Sequence, residues 1–495
     1  MKPRSGPGRS RAISCSVIAL CFSSIAGLSF GGCSFDREAP QANIDTPSRF
    51  QAGTTRAAQK TPDDWPSRFG SKELGALVNQ ARAQNLDILT AVARIEQAEA
   101  QARVTSATLY PTIAAGAGGS TSRTPGVART VSPPYNSLND NLYGLNLNAT
   151  YELDFWGKNR DNADSARLLA HASRFDRDVI ALSTTASVVN SYFQVLAAQD
   201  RLHVAQKNVA TAEKVLAAIK GRVEVGTATS LDEAQQATIV AQQRANVPPL
   251  EQTELQTRNI LAVLLGRTPE STHLKGGSLE RLTIPAVAAG LPSQLLLRRP
   301  DLAEVEDKLM AQGLEINVAR AAFYPDVTLT GSFGVESMLL KSLLSPQAAA
   351  FSLAGNIAQP IFNGGALQGQ LDLQKSLYKE LLFTYRKQIL TAFSDVENGL
   401  IGLDKTGRQV ELQRQAVVQA QKAYDVALGR LQEGTIDIVT LATIETTLFQ
   451  AEDLLVQVRS AHFQAATTLY QALGGGWTQP PHDPDVQAAI ANQTG

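Results

Sequence analysis

Residues 159–224 contain no proline and a single interior glycine, Gly221. A helix of sixty-odd residues at ~1.5 Å each extends about 100 Å, far beyond the three or four turns of an ordinary globular helix. No compact core accommodates such a rod. Within it Val179, Leu182, Ala186, Val189, Phe193 and Leu196 alternate spacings of three and four, the seam of a coiled coil. Ile389, Phe393, Val396, Leu400 and Leu403 repeat the rhythm, as do Leu441, Ile444, Leu448, Ala451, Leu455 and Val458. The other faces carry Gln, Arg, Lys, Asp and Glu. A bundle of such helices serves equally to line a water-filled channel or to form a solid spacer.

Directly before the rod the period changes. In residues 142–153, Tyr143, Leu145, Leu147, Ala149, Tyr151 and Leu153 alternate with Gly144, Asn146, Asn148, Thr150 and Glu152, the pattern of a strand with one apolar and one wet face. Weaker versions occupy residues 112–122 (Ile113, Ala115, Ala117), 326–335 (Val327, Leu329, Phe333, Val335) and 351–361 (Phe351, Leu353, Ile357, Ile361). Each is about 10 to 12 residues, the length a tilted strand needs to cross a bilayer. The segment 123–141, with Pro125, Pro133 and Pro134, suits a long outer loop. A soluble sheet with one buried face is the competing reading. Four strands cannot close a membrane barrel, and an open edge is not tolerated in lipid. Strands that span must therefore be pooled between subunits.

The chain is a tandem duplication. Tyr110-Pro111 matches Tyr324-Pro325, and Phe155-Trp156-Gly157 matches Phe362-Asn363-Gly364. "GRVEVGTATSL" (221–231) matches "GRLQEGTIDIVTL" (429–441), every spacing being a little over 200 residues. Each copy reads helix, strand, loop, strand, long helix, sharp break, helix. This gives a first repeat at 71–266, a linker at 267–298, a second repeat at 299–473 and a flexible tail at 474–495. The breaks fall at Gly226 and Gly434, glycine being suited to the left-handed end of a helix. Arg222 and Arg430 stand four residues earlier, where a cation complements the helix dipole. Ser230 with Glu233 reads as a capping box, and Asp437 as the cap of the equivalent helix.

The N-terminus assigns a compartment. Lys2, Arg4, Arg9 and Arg11 precede an apolar run and Gly31-Gly32-Cys33, a secretory signal over 1–32. Cys15 and Cys21 leave with it. Cys33 follows the pattern of an acylated lipobox cysteine, with Phe30 in place of the usual Leu and Ser34 next. A lipidated, extended segment over 33–70 follows. With 45 basic and 46 acidic residues the net charge is −1, which excludes a basic nucleic-acid surface. No phosphate loop, zinc-protease, nucleophile-elbow or paired-cysteine motif occurs, and His171, His203, His273, His462 and His482 lack ligand spacing. No enzyme activity, cofactor or metal is expected.

"YELDFWGKNR" (151–160), "LPSQLLLRRPDL" (291–302), "QPIFNGG" (359–365) and "LGGGW" (473–477) resemble the TolC-like outer membrane factors of Gram-negative bacteria, specifically the lipoprotein branch serving RND-type efflux pumps. With the duplicated layout the resemblance covers nearly all of the mature chain. It implies a mainly α fold with a membrane β-barrel: a homotrimer pooling four strands per subunit into a 12-stranded barrel, continued by a long coiled-coil α-helical barrel through the periplasm. It also implies a periplasmic adaptor, an inner-membrane RND pump and outer-membrane lipid as partners. The tips, Arg222, Gly226, Thr227, Arg430, Gly434 and Thr435, correspond to the adaptor-docking and gating end. Where the family often has an aromatic residue, this chain has Val223 and Leu431. Where many members narrow the pore with aspartates, it has Thr440 and Thr443. Asp232 matches a family acid and Asp437 lies nearby, so Asp232, Asp437, Thr440 and Thr443 form the candidate constriction. Helix capping is the plainer role of both aspartates. Two alternatives stand: the outer duct of a type I protein secretion system, and a structural lipoprotein using its coiled coil as a spacer. Drugs, dyes, aromatic acids and metal ions are all open as substrates.

Overall fold

The computed structural model describes residues 44–51, 62–124, 138–287 and 290–480; the signal, Cys33 and the loop prolines lie outside them. These residues fall into two compact units, a sheet unit (112–158 and 321–360) and a helical unit built from the rest.

The helical unit contains α1 (Lys72–Gln84), α2 (Leu86–Ser106), α3 (Lys158–Glu224), α4 (Ser230–Ala245), α5 (Val247–Leu264), α6 (Pro300–Ala321), α7 (Ala366–Gln432) and α8 (Ile438–Ala472). The rods α3 and α7 each run unbroken for 67 residues, about 100 Å. Part of α3 is apolar enough by composition to cross a membrane, yet 56% of that window is buried inside the protein.

The shorter helix of each hairpin was expected whole, and the first repeat breaks both of its own. Asn85 leaves helical geometry (ψ 130). Its Oδ1 accepts the N–H of Asp87 (2.9 Å) and Ile88 (3.1 Å), capping α2, while Nδ2 donates to Leu264 O at 2.9 Å. At Asn246 a second break hands α4 to α5, which carries proline in its first turn, where no N–H is missed.

The core gathers aromatics from distant segments. Phe193 meets Phe69 edge-on at 5.0 Å and Phe463 at 4.9 Å, and Trp65 stacks on Tyr470 at 4.8 Å. Trp65 and Phe69 belong to a 3₁₀ turn, Trp65–Phe69, in a stretch expected to be extended; their burial is what folds it. The coiled-coil seams are inside as expected, with Val189, Phe193, Leu196, Ile389, Val396, Leu441, Leu448 and Val458 all buried.

The described residues of segment 267–298 hold only single turns (Pro269–Ser271, Leu279–Arg281, Pro292–Leu295). Helix side chains accept its amides: Glu73 takes Lys275 N (2.7 Å), Gln199 takes Gly277 N (3.1 Å) and Asp200 takes Leu279 N (2.9 Å). The flexible tail does not begin at 474. Gly474, Gly475 and Gly476 have φ of 83°, 57° and 90°, and Gly475 N donates to Tyr470 O at 2.8 Å. A Cβ on Gly474 would run into the backbone of Arg298, so only glycine fits there. Trp477 then donates to Asp178 at 2.8 Å.

In the other unit β1 (Thr112–Thr124), β2 (Leu138–Leu153), β3 (Asp326–Ser337) and β4 (Ala349–Ala358) form one antiparallel sheet in the order β1-β2-β3-β4. β4 stops before the expected Ile361, because Pro360 has no N–H to give a ladder.

Candidate functional site

Register turns four alternating strands into two chemically distinct faces. Ala115, Leu147, Phe333 and Phe351 lie in one row across the sheet, and Ile113, Ala149, Gly331 and Leu353 in the next of that face. On the opposite face the rows read Ala114, Asn148, Ser332, Ser352 and Thr112, Thr150, Thr330, Ala354. Ser332 and Ser352 bond across strands at 2.9 Å, and Asn146 donates to Asn148. Gly116, Gly118, Gly144 and Gly334 line a shallow hollow of about 470 Å³ beside Glu336, since glycine projects nothing into it. From Tyr143 to Leu153 the apolar face of β2 runs ~33 Å along the strand, about 25 Å in height when tilted by ~40°, the height of an outer-membrane apolar band.

At one end the two repeats are clamped together. Trp156, following β2, stacks on Tyr324 at 4.7 Å and donates to Pro325 O at 2.9 Å. Lys158 bridges Glu152 (3.1 Å) and Asp326 (3.3 Å). Among the described residues β1 and β4 each have one unpaired edge.

The tips in the helical unit are near copies of each other. Gly226 (φ 75°) and Gly434 (φ 71°) donate to Val223 O and Leu431 O, each at 3.0 Å. Thr227 N and Oγ1 both donate to Arg222 O (2.8 and 3.1 Å), as Thr435 N and Oγ1 do to Arg430 O (2.9 and 3.1 Å). Among the described residues three contacts of Arg222 break the likeness: Ala228 N also donates to Arg222 O at 3.2 Å, Arg222 Nη2 reaches Thr227 O at 3.5 Å, and Arg222 Nη1 reaches Leu431 O at 2.7 Å.

The capping box lies one residue earlier than expected. Thr229, not Ser230, is extended (φ −103°, ψ 161°) and is the cap. Asp232 N donates to its Oγ1 at 3.3 Å and Asp232 Oδ2 accepts Thr229 N at 2.7 Å. Glu233 instead faces Lys220 at 3.7 Å. Asp437 is the cap as expected, accepting Thr440 N at 2.8 Å; the Thr440 hydrogen bonds hold its carboxyl below the usual range. Asp232, Asp437, Thr440 and Thr443 thus all stand in the opening turns of α4 and α8. Thr443 bonds Val439 O at 2.9 Å.

Polar contacts behind the tips were not foreseen, because all but one of them join residues over two hundred apart. Arg201 holds Asp453 through two bonds (2.6 and 3.1 Å), and Lys207 holds Glu452 at 2.7 Å. Gln236 of α4 donates to Ala212 O of α3 (3.3 Å) and to Glu445 Oε2 of α8 (3.1 Å), all within the tip core. Burial raises the Glu445 carboxyl above its usual range. Elsewhere His171 Nδ1 meets Asp307 at 2.6 Å, both buried. His462 bonds Thr406 at 2.9 Å and His203 is exposed.

The sequence profile of outer membrane efflux proteins matches residues 77–267 and 291–475, the two repeats. The pyoverdine export outer membrane protein OpmQ of Pseudomonas aeruginosa is 36% identical over 93% of this chain and 96% of its own. The antibiotic efflux pump outer membrane protein ArpC of Pseudomonas putida is 30% identical over 94% and 97%. The solved structure of the outer-membrane channel OprN, 25% identical, covers 90% of this chain and all of its own with a TM-score of 0.84.

Proposed function

This chain belongs to the outer membrane efflux protein family and is an outer-membrane channel of a tripartite efflux pump; from that premise we propose that three copies share one pore. Four strands with two free edges cannot stand in lipid. Three such sheets joined edge to edge close a barrel, with the row of Leu147 and Phe333 toward lipid and that of Asn148 and Ser332 toward water. The segregated faces of the sheet carry this reading. Arg222, Gly226, Thr227, Arg430, Gly434 and Thr435 receive a periplasmic adaptor, through which an inner-membrane RND pump delivers substrate. Asp232, Asp437, Thr440 and Thr443 narrow the periplasmic mouth with a less acidic ring than paired aspartates would give. Cys33 carries acyl chains, palmitate among them, and two or more chains suffice for a stable anchor; the mass of the N-terminal peptide tests this. The higher identity to a pyoverdine exporter, 36% against 30% for the antibiotic pump relative, supports a pyoverdine-like exported compound as substrate.

The test is deletion of the chain in its host. Release of pyoverdine-like compounds into the medium should fall, or sensitivity to several unrelated compounds should rise, with rescue by the intact chain. Unchanged release and unchanged tolerance across a broad panel would overturn the assignment.

A further inference from the structure

The two hairpins of the sheet end differently. β1 and β2 stay paired for five rungs beyond Tyr143, as far as Thr124 opposite Leu138, about 17 Å at ~3.4 Å per residue. β3 stops at Ser337, directly opposite Tyr143, where the apolar band of β2 begins. The link from β3 to β4, residues 338–348, therefore starts at the edge of that band, at the sheet end away from the connections to the helices.

This link is compact, and its outside is apolar. Two 3₁₀ turns, Leu340–Ser342 and Pro346–Ala348, fold it with Leu343 and Ala348 buried. Much of its backbone is satisfied internally. Ser342 N donates to Leu339 O (3.0 Å), Leu343 N to Leu340 O (3.3 Å), Ser345 N to Ser342 O (3.1 Å) and Ala348 N to Ser345 O (3.0 Å). Ser337 Oγ accepts Leu339 N at 3.2 Å. Met338, Leu339, Leu340 and Leu344 are nevertheless 55–83% exposed. Large apolar side chains crowded onto the outside of a short link mark a contact surface. Lys341 stands among them, exposed and without an ion pair among the described residues.

We propose that residues 338–344 are seated in the outer leaflet of the membrane, with Met338, Leu339, Leu340 and Leu344 in the acyl–headgroup boundary and Lys341 on lipid phosphate. Turned outward, the leucines extend the lipid-facing row of Phe333, and the Lys341 stem lies along acyl chains while its ammonium reaches the headgroups. A backbone that satisfies much of itself suits that position. The other available cover is a second copy. Gathering three links over the pore would bring three Lys341 charges together, and like charges repel. Outward seating spreads them around the rim and fixes the depth of the barrel. The inference rests on the lipid-facing barrel proposed above.

The test carries a nitroxide on Leu344→Cys, and separately on Leu340→Cys, in the full-length protein reconstituted into vesicles of phosphatidylethanolamine and phosphatidylglycerol. Collisions with oxygen, which concentrates in lipid, are compared with those of a nickel chelate, which stays in water. Phe333→Cys and Ser332→Cys calibrate the two faces of the sheet. Labels at 340 and 344 should resemble the one at 333, oxygen outweighing nickel several-fold. A nickel preference at either link position, with 333 and 332 as expected, overturns the seating and leaves the barrel standing. A nickel preference at 333 as well overturns both. Labels shielded from both reagents and broadened by one another reveal links packed together over the pore, and also overturn the seating. Lys341→Glu should lower the oxygen preference of the 344 label several-fold in these anionic vesicles; an unchanged preference overturns the phosphate contact. Should the cysteine variants fail to assemble, Leu344→Trp keeps a large apolar side chain there. Its added emission should be quenched by brominated lipid, and unquenched added emission overturns the seating.

Discussion

Leu147 and Asn148 are neighbours in β2 and belong to opposite faces of the sheet, Leu147 in the row of Phe333 and Phe351, Asn148 in the row of Ser332 and Ser352. Leu147 stands ~13 Å along the strand from Tyr143 and about 20 Å from Leu153, near the middle of the apolar band. An arginine at the lipid midplane of a barrel costs about 2–4 kcal/mol. Three copies make Leu147→Arg cost roughly 6–12 kcal/mol per trimer. Asn148→Arg faces water and stays within about 0.5 kcal/mol per chain, while adding three cations to the lumen and lowering cation permeability. The assay is the temperature at which the detergent-solubilised trimer dissociates on semi-native gels, followed by ion selectivity in planar bilayers. Leu147→Arg should dissociate far earlier than wild type, and Asn148→Arg at nearly the same temperature. Equal losses, or a larger loss at Asn148, would refute the assignment of faces.

Phe193→Ala removes a fully buried ring that meets Phe69 and Phe463. It should destabilise the helical unit by about 4 kcal/mol, read from helical circular dichroism in urea; a loss below about 1 kcal/mol would contradict the packing. Glu445→Gln tests the buried carboxyl. Its folded pKa is raised by burial, so its stabilising neutral form is fully present below the ordinary carboxylate range and is lost as pH rises through the raised value. Among the described residues neither Glu445 Oε1 nor Gln236 Oε1 has a partner, and a proton on the acid adds a donor to a buried site that has unmet acceptors. Wild type should therefore lose melting temperature relative to Glu445→Gln as pH rises from 4 toward 8, roughly the span of the ordinary carboxylate and neutral pH. A constant difference across that range would dismiss the effect.

Local chemistry made much of this fold legible. The absence of proline over 159–224 marked α3 almost to the residue, since nothing inside that run can end a helix. Strict alternation marked β2 from 142, and the strand adds four residues before it. β4 was read three residues too far because Ile361 continues the apolar pattern although Pro360 has already ended the ladder. The Thr229 cap was hidden by overlapping motifs, Thr229…Asp232 and Ser230…Glu233 both fitting the box. Thr227 and Ala228 bond back to Arg222 O, which leaves Thr229 extended. The repeat offset, which maps Asp437 onto position 229, was the signal that could have found it. Trp65, Phe69 and Trp477 looked like parts of loose ends because their partners, Tyr470, Phe193 and Asp178, are remote in sequence. The Gln236–Glu445 and His171–Asp307 pairs were illegible for the same reason.

The most direct test of the shared pore is single-channel recording in planar bilayers with cysteines walked along β3 and a charged, membrane-impermeant thiol reagent added. Thr330→Cys and Ser332→Cys should block the current in three equal steps, one per copy, and Leu329→Cys and Phe333→Cys should leave it unchanged. Block without alternation, or in any number of steps other than three, would contradict a water-filled barrel walled by three copies of this sheet.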